Sequence, residues 1–354
     1  RHSNFIIQMF LFRYLIGDRN YRKYFPLFTL ITSFASIAWL SGDLRLMVLF
    51  WGATLLSLTL LIRVNRSWKI PYEAAKVSGK SFALGWLSLL VAVILLYVAT
   101  GNWHINVTLA NDDVITSGMR FIIDMLIVLA VVVPAAQFPF QSWLIESVAA
   151  PTPVSAIMHA GIVNAGGIIL TRFSPVFNDP LAITILLIIA SISVLLGSGI
   201  SLVHVDYKRQ LVGSTMSQMG FMLVQCALGV YSAAIIHLIL HGVFKATLFL
   251  QSGSVVKRFN IPTPPSAKRS YSWVVLGRCL AIIIAILFWL GSDRSAYEIL
   301  SALILAWSLM VSWNQMVAFS RGLIGRVIGI IMIVIVALVY IVTHHYFYNT
   351  LTRL

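Results

Sequence analysis

The chain has 354 residues, 59% hydrophobic and 10% charged, with a mean hydropathy of +0.92 and a formal net charge of +14. That composition excludes a soluble globular domain, and the basic residues sit in short segments between apolar runs, which argues against a nucleic-acid surface. Cys226 and Cys279 lie in apolar stretches without metal-ligand spacing, which excludes a disulfide framework or a zinc site within the chain.

The opening run NFIIQMFLFRYLI is too short to span a bilayer comfortably. Arg1 is not an initiator residue, and the text has no cleavable-signal pattern. The expectation is a chain continuing from earlier helices. From there the apolar runs predict an all-α polytopic protein with spans near 24–42, 44–64, 80–101, 115–136, 153–173, 181–203, 210–229, 231–256, 272–291, 297–318 and 322–346. Everything in the bilayer is expected to be helical, because lipid-exposed backbone must satisfy its own hydrogen bonds. Four parts follow: 1–23, the end of a helix and a basic loop; 24–260, a transmembrane core; 261–271, a second basic loop; and 272–354, C-terminal helices.

Alternating the loops sorts the charges. One side collects Arg22, Lys23, Arg63, Lys69, Lys76, Lys80, Lys208, Arg209, Lys268 and others, whereas the other holds only Arg45, Arg172, Arg294 and Arg353. By the positive-inside rule the basic side is expected to face the cytoplasm. The alternation works only if 115–136 and 137–152 form one broken crossing, and Pro134, Pro139, Pro151 and Pro153 supply the break. Such a break belongs where backbone is buried in protein or lines a wet cavity. The stretch 203–210, ahead of the polar run Ser214, Thr215, Ser217 and Gln218, reads either as a second break or as an ordinary cytoplasmic loop and helix start.

Within apolar helices, ionisable residues stand out. Arg120 and Asp124 are four residues apart and predict a structural ion pair. Arg278 is placed to snorkel, and Asn314 with Gln315 to hydrogen-bond between helices. His237, His241 and Lys245, in HLILHGVFKATLFL, recur every fourth residue and so share one helix face. Burying each charged group costs roughly 3 kcal/mol on the mildest scale. The stripe reads either as a proton or cation relay, for which titratable groups in series are suited, or as hydrogen-bonded core residues orienting a neighbouring helix.

Two stretches carry a resemblance: FPFQSWLIESVAAPTPVSAIMHAGIVNAGG (138–167) and DYKRQLVGSTMSQMGFMLVQCALGVYSAAIIHLILHGVFKATLFLQSGSVV (206–256). They are similar to the antiporter-like core of respiratory complex I membrane subunits and multisubunit cation/proton antiporters. The resemblance implies two inverted five-helix repeats, each with a broken helix, and ion-coupling residues near the membrane midplane. Within that superfamily, HAGIVNAGG (159–167) resembles the membrane subunits of the DAB inorganic-carbon accumulation systems. Two positions depart from the pumping pattern. The glutamate usual after the fifth-helix tryptophan is Gly52, following Trp51, and the lysine usual before the AQ-hydrophobe-P motif is Pro134.

What the resemblance implies is a bacterial inner-membrane, cation-conducting coupling subunit, with the proton as the expected ion and no cofactor or catalysis of its own. It would energise CO2 hydration to bicarbonate by a zinc carbonic-anhydrase-like, DabA-type partner, with zinc expected in that partner. The relay would comprise His237, His241 and Lys245, with Lys208 at one mouth and Glu146 and His159 linking the broken helix. A proton-translocating subunit of complex I or of a multisubunit antiporter is the alternative, but it predicts the missing first-half pair. A non-conducting scaffold would leave the stripe unexplained except as packing.

Overall fold

The computed structural model describes residues 20–64, 69–110, 114–252, 271–291 and 296–313, with isolated positions at 10–17 and 327–342. The Asn314–Gln315 pair and the loop at 261–270 lie outside the described residues, as does most of the span expected at 322–346. The chain divides into two units, residues 1–257 and 258–354.

The first unit is built of helices: α1 (Tyr21–Leu40), α2 (Leu44–Ile62), α3 (Lys69–Thr100), α4 (Ile105–Ala110), α5 (Ser117–Val132), α6 (Ser142–Glu146), α7 (Thr152–Ala160), α8 (Ala165–Arg172), α9 (Pro180–Val203), α10 (Tyr207–Ala227) and α11 (Tyr231–Leu250). Seven helical segments among the described residues, one of them α7 and α8 taken together, are long and apolar enough to cross a membrane. The protein is a multi-pass membrane protein. α10 falls outside that seven because its sequence is polar, yet twelve of its residues are buried, so neighbouring helices shield it from lipid.

Side chains terminate these helices. Asp43 caps α2, its Oδ1 accepting from the backbone N–H groups of Arg45 (2.8 Å) and Leu46 (3.4 Å), and its Oδ2 pairs with Arg45 at 2.7 Å. Arg45 stands 5.4 Å from the Trp103 ring centroid, and Trp103 stacks on Tyr97. Leu44 N–H donates to Trp103 and Ile105 N–H to Gly42, tying the head of α2 to the segment after α3. The Arg45 hydrogen bond holds the Asp43 carboxyl down at about 2. A lowered carboxyl stabilises the fold above its ordinary value and loses that contribution as pH falls through the folded one. Asp43→Ala is therefore expected to cost about 1 kcal/mol in thermal unfolding at pH 7, with the gap to wild type closing as pH falls toward 2. At the C-terminal end of α1, the Arg172 guanidinium donates to the carbonyls of Ala38, Trp39 and Ser41, satisfying groups that a helix C-terminus leaves open.

The first break is present. α5 ends at Val132, and residues 133–141 run as turns before the short α6 and a 3-10 turn at Ser147–Ala149. Its polar groups find protein partners. Gln137 Nε2 donates to the Ala135 and Met216 carbonyls, Phe138 N–H to Ser193 Oγ, and the Trp143 indole N–H to the Val133 carbonyl. That is how irregular backbone survives inside a bilayer.

The second break expected at 203–210 is instead a turn between antiparallel neighbours. Asp206 caps α10, and α9 and α10 run back along one another, with Ser198 Oγ and Ser217 Oγ 2.9 Å apart. A Cβ on Gly197 would lie 2.7 Å from the Gly213 carbonyl oxygen, and one on Gly213 would lie 2.8 Å from that of Gly197. Of the polar run that suggested a break, Ser214 and Thr215 meet the buried site, whereas Ser217 faces α9. A different interruption occurs between α7 and α8, where Ile162–Asn164 forms a 3-10 turn.

The second unit pairs α12 (Tyr271–Leu290) with α13 (Ala296–Trp313). Ala281, Leu305, Leu309 and Trp313 form its core, and the Trp313 indole donates to the Trp273 carbonyl at 2.7 Å. Arg278 is exposed on α12.

Candidate functional site

α11 carries the stripe into a groove formed by α7, α8 and α10, and each of its three members meets a polar group from those neighbours. Lys245 is fully buried, its Nζ donating to Ser214 Oγ (2.8 Å) and the Leu211 carbonyl (3.2 Å). His241 is 3% exposed, with Nδ1 3.2 Å from Asn164 Oδ1. His237 Nδ1 lies 3.1 Å from Gln225 Oε1. The close approach of α11 to α7 depends on Gly242, where a Cβ would sit 2.8 Å from the Ala160 carbonyl oxygen.

His159 belongs to the same cluster. It is 1% exposed, its ring stacks on Phe249 with centroids 4.2 Å apart, and Nδ1 lies 3.1 Å from Thr215 Oγ1. Lys208 Nζ reaches the Ala150 carbonyl at 3.4 Å. Glu146 is not brought in. It is exposed at the end of α6 and makes none of the hydrogen bonds or ion pairs found among the described residues. Nor is a carboxylate bonded to His159, Lys208, His237, His241 or Lys245 among those residues.

The partners fix the imidazole tautomers. Asn164 Nδ2 donates to the Ala160 carbonyl at 2.8 Å, which turns its oxygen toward His241. An amide oxygen only accepts, so His241 Nδ1 carries the proton and Nε2 holds a lone pair. Thr215 spends its hydroxyl proton on the Leu211 carbonyl at 2.8 Å, so it accepts from His159 Nδ1. His241 and His159 thus present Nε2 as acceptor, and His241 Nε2 is buried with no hydrogen-bond partner among the described residues. From Lys208 to Gln225 the strip follows 17 residues of α10, about 25 Å of helix rise against a hydrocarbon core of about 30 Å.

Arg120 and Asp124 lie apart from this strip. Asp124 is fully buried, and its Oδ2 accepts from the backbone N–H groups of Asn178 (3.1 Å) and Asp179 (2.9 Å). Its hydrogen bonds therefore go to the turn that opens α9, with Arg120 one helical turn away along α5.

Asn164 and Gln225 were not picked out from the sequence. Each is an amide in an otherwise apolar run, and the cost of burying an unpaired amide was the available signal. The two departures also have a packing account. A Cβ on Gly52 would lie 2.5 Å from Trp86 Nε1, and that indole donates to the Val48 carbonyl. Pro134 packs on Gly85, where a Cβ would sit 3.1 Å from its Cδ. Aromatic and proline rings occupy the space that an ionic pair would need.

Known proteins share the sequence and the fold of this chain. The family model described as NADH:quinone oxidoreductase/Mrp antiporter, TM, matches residues 41–329. The probable inorganic carbon transporter subunit DabB of Bacillus subtilis (strain 168) is 61% identical over 349 residues, covering 98% of this chain and 69% of the relative. The subunit of the same name from Hydrogenovibrio crunogenus (strain DSM 25203 / XCL-2) is 34% identical over 84% of this chain and 59% of its own length. Among solved structures, a chain of the Mrp complex from Dietzia sp. DQ12-45-1b superposes with a TM-score of 0.64 at 27% identity, covering 90% of this chain and 34% of that one.

Proposed function

The chain belongs to the NADH:quinone oxidoreductase/Mrp antiporter transmembrane family, alongside its inorganic carbon transporter subunits, and from that premise we propose that it conducts protons to energise inorganic-carbon accumulation. The observation that carries this reading is the strip of buried Lys245 and His241 and half-buried His237, each bonded to a neutral partner and none to a carboxylate among the described residues. A carboxylate partner would hold a proton or cation in place. Neutral partners fix the rings and leave Nε2 to take a proton and return it. His237 and His241 have ring centroids 6.1 Å apart, a separation that one water can bridge. Lys208 stands at one mouth, and His159 joins the strip from α7.

The work would be done on a partner. As the resemblance implies, this is a zinc carbonic-anhydrase-like, DabA-type subunit that hydrates CO2 to bicarbonate, with the basic loops of this chain in the cytoplasm of a bacterial cell. One charge crossing 100 mV supplies about 2.3 kcal/mol, enough to shift an equilibrium more than tenfold. The loss of the first-half ionic pair at Gly52 and Pro134 favours a single path over a two-path antiporter.

The test uses cells without their own carbonic anhydrase that express the chain with its partner. Collapsing the proton gradient is expected to reduce bicarbonate accumulation to the level of empty cells. Accumulation sustained by a sodium gradient alone would overturn the proton as the coupling ion.

A further inference from the structure

Where α2 ends and α3 begins, the two helices enclose a groove of about 230 Å3 lined by Thr59, Arg63, Tyr72, Ala75, Lys76, Gly79 and Lys80. Three of these seven are cations. The Arg63 guanidinium stands 5.1 Å from the Tyr72 ring centroid, which holds it over one wall. The helices approach closely at the back, where a Cβ on Gly79 would lie 3.1 Å from Thr59 Cγ2. Thr59 Oγ1 is spent on the Leu55 carbonyl, so the polar capacity of the groove is almost wholly cationic. Neither Lys76 nor Lys80 has a hydrogen bond or ion pair among the described residues, and Glu73, nearby on α3, lines no part of the groove.

The depth of this groove follows from the charge pattern. α3 has 32 residues, about 48 Å of helix, against a hydrocarbon core of about 30 Å. Its charge-free stretch, Ser81–Thr100, is long enough to cross and begins just after Lys80. On α2 the charge-free stretch Leu46–Ile62 ends at Arg63. Both hydrophobic boundaries therefore meet at the groove, which places its three cations at the level of lipid phosphates.

We propose that this groove is a binding site for the phosphate of an anionic phospholipid, whose acyl chains continue along the lipid-exposed sides of α2 and α3. Leu56, Leu60, Leu84 and Leu87, all exposed, supply apolar surface for those chains. The phosphate meets three cations that otherwise face each other without an anion.

The full chain in nanodiscs, analysed by native mass spectrometry, tests this with phosphatidylglycerol, phosphatidylcholine and inorganic phosphate as probes. Wild type is expected to retain phosphatidylglycerol over phosphatidylcholine, and R63Q/K76Q/K80Q to lose that retention by at least about tenfold. The control R22Q/K23Q/R209Q removes the same charge from exposed positions elsewhere and is expected to bind as wild type does. Equal loss in both triple variants would reduce the effect to diffuse charge and overturn the site. Equal retention of both lipids, or displacement of the lipid by millimolar inorganic phosphate, would also overturn it.

Discussion

Lys245→Met is expected to abolish gradient-driven bicarbonate accumulation, by at least about 100-fold, while leaving the protein folded and in the membrane. The two halves of this expectation separate function from architecture. Methionine matches the lysine stem in length and leaves no cavity. The Leu211 carbonyl keeps its bond from Thr215, so only Ser214 loses a partner, and its hydroxyl can rotate to a helix carbonyl. Exchanging a buried cation for an apolar side chain is often neutral or stabilising. If Lys245 merely packed α11 against α10, Lys245→Met would transport as wild type does and melt no lower. The measurements are the growth in air of CO2-dependent cells at matched protein levels, and the thermal midpoint of the purified protein. Full growth with Lys245→Met would remove it from the relay.

The stripe was legible in the sequence because its signal is local. Ionisable residues at every fourth position of an apolar helix share a face, and no tertiary context can move them off it. Its partners were not legible, because they come from far away: Asn164 is 77 residues from His241, and Ser214 is 31 from Lys245. The tautomers depend on those partners, so they too appear only in three dimensions. The same distinction explains the misplaced second break. Polar residues in Tyr207–Ala227 resemble a helix interruption when read locally, but Ser214, Thr215 and Gln225 face the site and Ser217 faces α9, so neighbouring helices take them up. Glu146 shows the converse: as the carboxylate nearest the first break it attracted a role, yet the α6 helix ends with it exposed. The absences at Gly52 and Pro134 were visible against the family pattern. That Trp86 fills the space beside Gly52 was not, since it lies on another helix 34 residues on.

The α10 wall of the site stands only as firmly as the contact between α9 and α10. Gly197→Ala and Gly213→Ala are each expected to lower stability by about 1–3 kcal/mol, the range for forced overpacking. The added methyl at 197 meets the Ser217 backbone nitrogen at 2.5 Å, and at 213 the Ser201 backbone nitrogen at 2.6 Å. Backbone cannot rotate away as a side chain can, so the helices must separate. Once one methyl has moved them apart, the second finds room already made, and the double variant should lose less than the sum of the singles. The separation has a functional consequence, because α10 also presents Lys208, Ser214, Thr215 and Gln225 to the strip. Bicarbonate accumulation should fall in step with stability in both glycine variants, whereas Lys245→Met loses accumulation with stability intact. Additive losses in unfolding free energy would show that the two glycines act independently. Unchanged stability with alanine at either position would show that the close approach of these helices is not what holds the wall.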